Sequence, residues 1–175
     1  MESLNFDTIF RQYQSKVYSI ALRYTGDRDS ALEVAQETFI SIYKNLESFR
    51  GQSKISTWIY RIAVNQALSH KRSQRVFEDL PDIDDIQTYF GGISNAIETM
   101  GLDDRKKYIA EALERLHPDE STILTLYYLE EQSIDEVSTV MSLSPSNVKV
   151  KLFRSRARFY DALKRILNVE VNELL

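Results

Sequence analysis

Cysteine is absent from the 175 residues, so neither a disulfide frame nor a thiolate metal site can be built. Histidine is almost as scarce: His70 and His117 stand far apart and suggest no ligand pair. His70, beside Lys71 and Arg72, is expected to face solvent or phosphate, and His117 before Pro118 reads as part of a turn. Five glycines and three prolines leave few breaks in a chain whose apolar spacing is helical almost throughout. No apolar run is long enough to span a bilayer and no targeting segment stands out, so a soluble, cytoplasmic protein without membrane insertion is expected. A nucleophile–base pair, a metal-ligand cluster and a phosphate-cradling glycine loop are all missing, which argues against an enzyme and against any cofactor.

What the chain does have is an uneven distribution of charge. Its net charge is −4, yet residues 50–75 carry Arg50, Lys54, Arg61, Lys71, Arg72 and Arg75 with no Asp or Glu. Residues 144–168 carry Lys149, Lys151, Arg154, Arg156, Arg158, Lys164 and Arg165, opposed only by Asp161. Acidic blocks from Glu78 to Asp104 and from Glu111 to Glu136 lie between them. Two separate basic surfaces on an acidic chain imply two contacts with a polyanion, the remainder facing something else.

The periodicity predicts an all-α protein of two small helical domains. Phe6, Ile9, Phe10, Tyr13, Val17, Ile20, Ala21 and Tyr24 mark a first amphipathic helix, and Thr25-Gly26-Asp27 a stop followed by an N-cap. Ala31, Ala35, Phe39, Ile42 and Leu46 mark a second helix. A third is expected from Thr57 to about Ser73, capped by Ser56 or Thr57, the three forming a bundle. Residues 76–104 read as an acidic linker. Helix signal returns near Arg105, and a further segment is expected from Asp119, as N-cap, to about Leu129.

The sharpest local signal lies between Ser133 and Arg158. Ser133 and Glu136 form a Ser-x-x-Glu capping box, Met141-Ser142-Leu143 a tight turn, and Ser144 a new N-cap with Pro145 in the first helical position. Val148, Leu152 and Phe153 are expected to tie this last helix to the core. Its other face presents Ser146, Asn147, Lys149, Val150, Lys151 and Arg154. Two short helices joined by such a turn, the second polar and basic at its start, make a helix-turn-helix. Arg and Lys suit guanine edges and Asn suits adenine, whereas Lys151, Arg156, Arg158 and Lys164 suit phosphates.

The other basic region interleaves aromatics with cations. Trp58 and Tyr60 alternate with Arg61, Asn65, Lys71 and Arg72, behind a loop carrying Phe49, Arg50, Gln52, Ser53 and Lys54. Rings beside cations suit unpaired bases, which stack and are read along their edges. Trp58 serves equally well as a core anchor.

These residues carry a resemblance. Asp27 to Phe39, ending Ala35-Gln36-Glu37-Thr38-Phe39, is followed by Ser48-Phe49-Arg50-Gly51, by Thr57-Trp58-Ile59-Tyr60-Arg61-Ile62-Ala63-Val64-Asn65, and by Val148 to Arg158. In this order they resemble the extracytoplasmic-function group of the bacterial sigma-70 family. The resemblance implies a transcription initiation factor directing core RNA polymerase to promoter DNA, in response to an envelope or environmental signal. Residues 1–75 would grip the polymerase and open the −10 element through Phe49, Arg50, Gln52, Ser53, Lys54, Trp58, Arg61, Asn65 and Arg72. Residues 105–175 would read the −35 element through Ser146, Asn147, Lys149, Val150, Lys151, Phe153, Arg154 and Arg158. Leu32, Gln36, Glu37 and Ile40 would dock on the β′ clamp helices, with the β flap as a further contact and an anti-sigma factor as inhibitor. Leu32 and Ile40 lie off the inner stripe of Ala35, Phe39, Ile42 and Leu46, which a partner helix would explain.

Some positions depart from the family pattern. Ser30-Ala31-Leu32-Glu33-Val34 stands before the Gln-Glu where the family usually shows Ala-Glu-Asp, Ser142 takes the place of the turn glycine, and Ser144-Pro145-Ser146-Asn147 alters the start of the reading helix. Ser142 is expected in a left-handed conformation. A stand-alone helix-turn-helix regulator is the competing reading; it would account for the C-terminal half and leave the Trp58 region and the acidic linker without a role.

Overall fold

A computed structural model describes residues 5–72 and 101–173, the side chains of residues 71, 72, 102 and 168–173 excepted. The expected linker lies outside the described residues except for residues 101–104. Helix α1 (Phe6–Thr25) opens on Asn5, whose Oδ1 accepts from the Asp7 N–H at 2.9 Å, and closes on Gly26 at φ 79°. Glycine reaches that left-handed conformation without penalty, so the stop read from Thr25-Gly26-Asp27 is obeyed. Helix α2 (Arg28–Asn45) is capped by Asp27, which accepts from the Ser30 N–H at 2.9 Å. A single 3₁₀ turn, Leu46–Ser48, then leads into the loop.

Helix α3 (Ile55–Arg72) starts two residues before the expected Thr57. Neither Ser56 nor Thr57 caps it: the first helical bond runs from the Trp58 N–H to the Lys54 carbonyl, and Thr57 is buried with its hydroxyl committed elsewhere. Helix α4 (Leu102–Glu114) likewise starts ahead of Arg105, because Asp103 and Asp104 suit the positive end of a helix dipole. Helix α5 (Pro118–Leu124) is capped by His117, not by Asp119. His117 Nδ1 accepts from the Asp119 N–H at 3.4 Å while Glu120 reaches back to the His117 N–H, freeing the Asp119 carboxylate for another partner. The expected continuation to Leu129 is a wide π-type turn, Thr125–Leu129.

Helix α6 (Ile134–Met141) has the capping box expected of Ser133 and Glu136. It ends at Ser142, at φ 54° and ψ 42°, where a non-glycine residue carries a cost of roughly 1–2 kcal/mol. Helix α7 (Pro145–Glu173) follows, with Ser144 Oγ accepting from the Asn147 N–H at 3.3 Å.

Helices α1, α2 and α3 pack on one another, and α4 and α5 pack on α7. A small satellite core of Ala112, Leu163 and Ile166 closes α4 on α7. The two helical units also pack together, α3 on α6 and α1 on α5, so that one apolar cluster runs from Ile9 to Leu152. Val17, Ile42, Ile59, Ile123, Val137 and Val148 are fully buried in it, each such side chain contributing roughly 1.5–3 kcal/mol.

The seam between the units is polar at its margin. Buried Thr57 donates its hydroxyl to Gln132 Oε1 at 2.7 Å, and Tyr60 donates to Glu130 Oε2 at 2.5 Å. Lys16 Nζ meets the same Glu130 oxygen at 2.5 Å, Lys54 Nζ lies 3.0 Å from Glu136 Oε1, and Tyr24 donates to Asp119 at 2.9 Å. Burial, reinforced by the carboxylate each faces, pushes the Tyr24 and Tyr60 phenols far above their usual range, so both remain donors.

Candidate nucleic-acid interface

The helix-turn-helix places a polar, basic face in solvent because its apolar residues recur at helical spacing on the other side. Val148, Leu152, Ser155 and Ala157 are buried, while Ser146, Asn147, Lys149, Val150 and Arg154 are exposed and Lys151 is half-buried. The helical pattern assigns Phe153 to the core, and here the structure differs: its ring is 50% exposed. It lies one position past Leu152, with Lys149 and Val150 on the outer surface, so it adds an apolar element to the solvent-facing side. Arg158 is half-buried and forms an ion pair with Glu120, and the Arg156 Nε donates to the Leu152 carbonyl at 3.2 Å. The ion pair holds α7 to α5 in this arrangement, whereas the Arg156 bond lies within α7 itself.

Around α3, the turn at Gly51 has φ 67°, with open space where a Cβ would lie, so the glycine serves the backbone there. Arg50, Gln52, Lys54, Arg61 and Asn65 are exposed, and Phe49, Ser53 and Trp58 are half-buried. The Phe49 and Trp58 rings stand 5.1 Å apart, inclined by 44°. Trp58 thus joins both readings: it packs against the core yet keeps part of its ring at the surface, under the loop that carries the cations. The Arg72 side chain lies outside the described residues. The Lys54 charge, expected on DNA, is committed here across the seam to Glu136.

On α2, Leu32, Gln36, Glu37 and Ile40 are all exposed, Leu32 by 53% and Ile40 by 45%. Leu32, Gln36 and Ile40 line a cleft of about 880 Å³ between α1 and α2, where Phe6, Phe10 and Tyr43 also contribute. The aromatics are mutually braced: Phe6 meets Tyr43 edge-on at 5.2 Å and Phe10 meets Phe39 at 4.8 Å. The helical spacing of α1 assigns Phe10 to the inner face, but it is 40% exposed and floors this cleft. Exposed apolar strips of this kind mark interaction surfaces.

The seam residues Lys16, Thr57, Tyr60, Glu130 and Gln132 carry no local signal in the sequence, since their partners lie at least 70 residues away. The nearest thing to one is the position of Glu130 and Gln132, two polar residues beside an apolar run.

A DNA-reading protein, all-helical among the described residues, with a helix-turn-helix and a second basic surface beside half-buried aromatics, is the class that this fold and these faces define. The sigma-70 region 2 family model matches residues 9–76 and the sigma-70 region 4 model residues 106–159. The chain is 32% identical over 169 residues to the RNA polymerase sigma-H factor of Pseudomonas aeruginosa, covering 93% of this chain and 88% of that one. It is 34% identical over 158 residues to the ECF RNA polymerase sigma-E factor of Escherichia coli K12, covering 86% and 82%. Its fold is shared with the sigma factor RpoE solved in complex with the anti-sigma factor NepR from Bartonella quintana, at a TM-score of 0.65 and 20% identity over 91% and 96% of the two chains. CnrH, solved with the cytosolic domain of CnrY, gives a TM-score of 0.58 at 18% identity over 94% and 88%. The chain belongs to the sigma-70 family, in its extracytoplasmic-function group: it is a transcription initiation factor that directs RNA polymerase to promoters.

Proposed function

We propose that residues 1–75 hold the core polymerase and open the −10 element, that residues 76–104 tether the two units, and that residues 105–175 read the −35 element. The observation that carries this division is the exposure of two unlike basic faces, one aromatic on α3 and one groove-fitting on α7. Leu32, Gln36, Glu37 and Ile40 contact the β′ clamp helices, and the cleft they border takes a helix of the polymerase. The β flap holds the second unit. Phe49, Arg50, Gln52, Ser53, Lys54, Trp58, Arg61, Asn65 and Arg72 engage the opened −10 strand, bases stacking on the rings and phosphates meeting the cations.

At −35, Asn147, Lys149 and Arg154 read base edges, while Lys151 and Arg158 meet phosphates and Ser146, Val150 and Phe153 fit the groove wall. Arg158 does so once promoter phosphate competes with Glu120 for its guanidinium. The protein performs no catalysis itself, acts in the cytoplasm, and is inhibited by an anti-sigma partner that covers the same surfaces. Neighbours of known structure were solved with such partners, which supports this last point.

Substitution separates reading from holding. In the polymerase holoenzyme, Asn147→Ala should cost about 1–3 kcal/mol on the preferred −35 sequence and relax the preference at one base pair. Lys151→Ala should weaken all promoter sequences alike and reduce the salt slope by about one. Competition binding on −35 variants at several salt concentrations checks both. Equal loss on all sequences for Asn147→Ala would remove it from the reading set.

A further inference from the structure

We propose that the cleft at the seam between α1 and the α5 turn is a binding site for a small tetrahedral oxyanion of the phosphate class. The cleft encloses about 200 Å³ and is lined by Lys16, Ser19, Arg23, Tyr60, Thr125 and Glu130, among others. Two cations face one carboxylate there. That carboxylate is already committed, Glu130 meeting Lys16 and Tyr60 at 2.5 Å each. Arg23 is left over. It takes part in none of the ion pairs among the described residues, and its Nη1 is buried without an acceptor. Burial lowers its pKa, and the nearby Tyr24, Glu130 and Glu114 offset this only in part.

A guanidinium withdrawn from solvent is costly unless paired, and buried polar groups in native proteins rarely lack partners. The planar fork of Arg matches two oxygens of a phosphate, and Lys16 stands on the same helix two turns before it. The Thr125 hydroxyl, likewise buried and without a partner, lines the opposite wall as a third donor. The volume is below the 300–1,000 Å³ typical of sites that enclose whole small molecules. It suits a single phosphoryl group, either free phosphate or the terminal group of a phosphomonoester whose remainder lies in solvent. Because the wall comes from both helical units, the anion would bridge them and favour the packed arrangement by mass action. This inference stands on the seam alone, apart from the promoter-reading assignments.

The test is isothermal titration and thermal denaturation of the full chain, with sodium phosphate against sodium chloride at matched ionic strength. Saturable binding with a rise in Tm in phosphate, and none in chloride, is expected. Arg23→Gln should weaken binding at least about tenfold, the loss of a charge-assisted hydrogen bond. Thr125→Val, which keeps volume and charge, should weaken it less and serves where Arg23→Gln fails to fold. A nucleoside 5′-monophosphate forms the second arm: binding as tight as phosphate or tighter identifies a phosphomonoester, and binding of phosphate alone identifies the free oxyanion. No saturation, or an equal response in wild type and both variants, would overturn the site.

Discussion

Glu136 shows how much a single side chain can be asked to do. It closes the capping box of α6 by accepting from the Ser133 N–H at 2.8 Å, and it pairs with Lys54 from the other helical unit. Burial by itself would raise its pKa, but the Ser133 N–H and the Lys54 ammonium outweigh it, and the net shift is downward. A depressed carboxylate contributes stability that is present above its unfolded pKa and lost as pH falls through the folded one. Unfolding by urea between about pH 5 and 3 should therefore show a fall in stability that Glu136→Gln flattens. An unchanged pH profile in the variant would mean that ionisation of Glu136 contributes nothing to stability.

Helix α2 carries one amphipathic pattern and an exception to it. Val34, Ala35, Thr38, Phe39 and Ile42 are buried in the bundle, while Leu32 and Ile40 stand on the outer side. Replacing both by alanine leaves these buried contacts in place, so thermal stability should shift by no more than about 0.5 kcal/mol. Affinity for core polymerase should fall roughly ten- to hundredfold, as for central apolar anchors of an interface. Fluorescence anisotropy of labelled protein with core polymerase measures the second and calorimetry the first. Lost stability with unchanged affinity would return these residues to a structural role.

Elements with a local cause are legible in the amino-acid order alone. The Gly26 stop, the Asp27 cap, the Ser133–Glu136 box and the Ser142 turn each follow from chemistry within four residues, and each is present. So is the outward placement of Leu32 and Ile40, which breaks the helical stripe. The misplaced starts have the same explanation in reverse. Ser56 and Thr57 look like caps for α3, but Thr57 is drawn to Gln132, 75 residues on, and Asp119 is drawn to Tyr24 across 95 residues. Long-range hydrogen bonds compete with local capping and leave no local trace. Aromatic character at helical spacing points Phe153 and Phe10 inward, yet both are exposed, one beside the basic face and one in the α1–α2 cleft.

For the whole molecule, the packing of α3 on α6, and of α6 on α7, sets a limit on what this arrangement can do. Neighbouring helices lie about 8–10 Å apart, so α3 and α7 are held within about 20 Å of each other. Promoter elements two helical turns apart are separated by roughly 70 Å, at about 34–36 Å per turn. If the two units read the two elements as proposed, they must part before both can be read. A chain without cysteine makes this measurable: Arg28→Cys and Lys164→Cys would accept a donor and an acceptor dye at unique, exposed sites. Energy transfer should be high in the free protein and fall when core polymerase is added; high transfer in both states would exclude the opening.

Directing polymerase is the claim on which the rest depends, and promoter-specific run-off transcription tests it most directly. Core polymerase with this protein, on a pool of genomic fragments, should yield discrete transcripts that are absent without it and reduced by Leu32→Ala/Ile40→Ala. Transcripts identical with and without the protein, together with specific duplex binding by the protein alone, would contradict the account and leave a stand-alone regulator in its place.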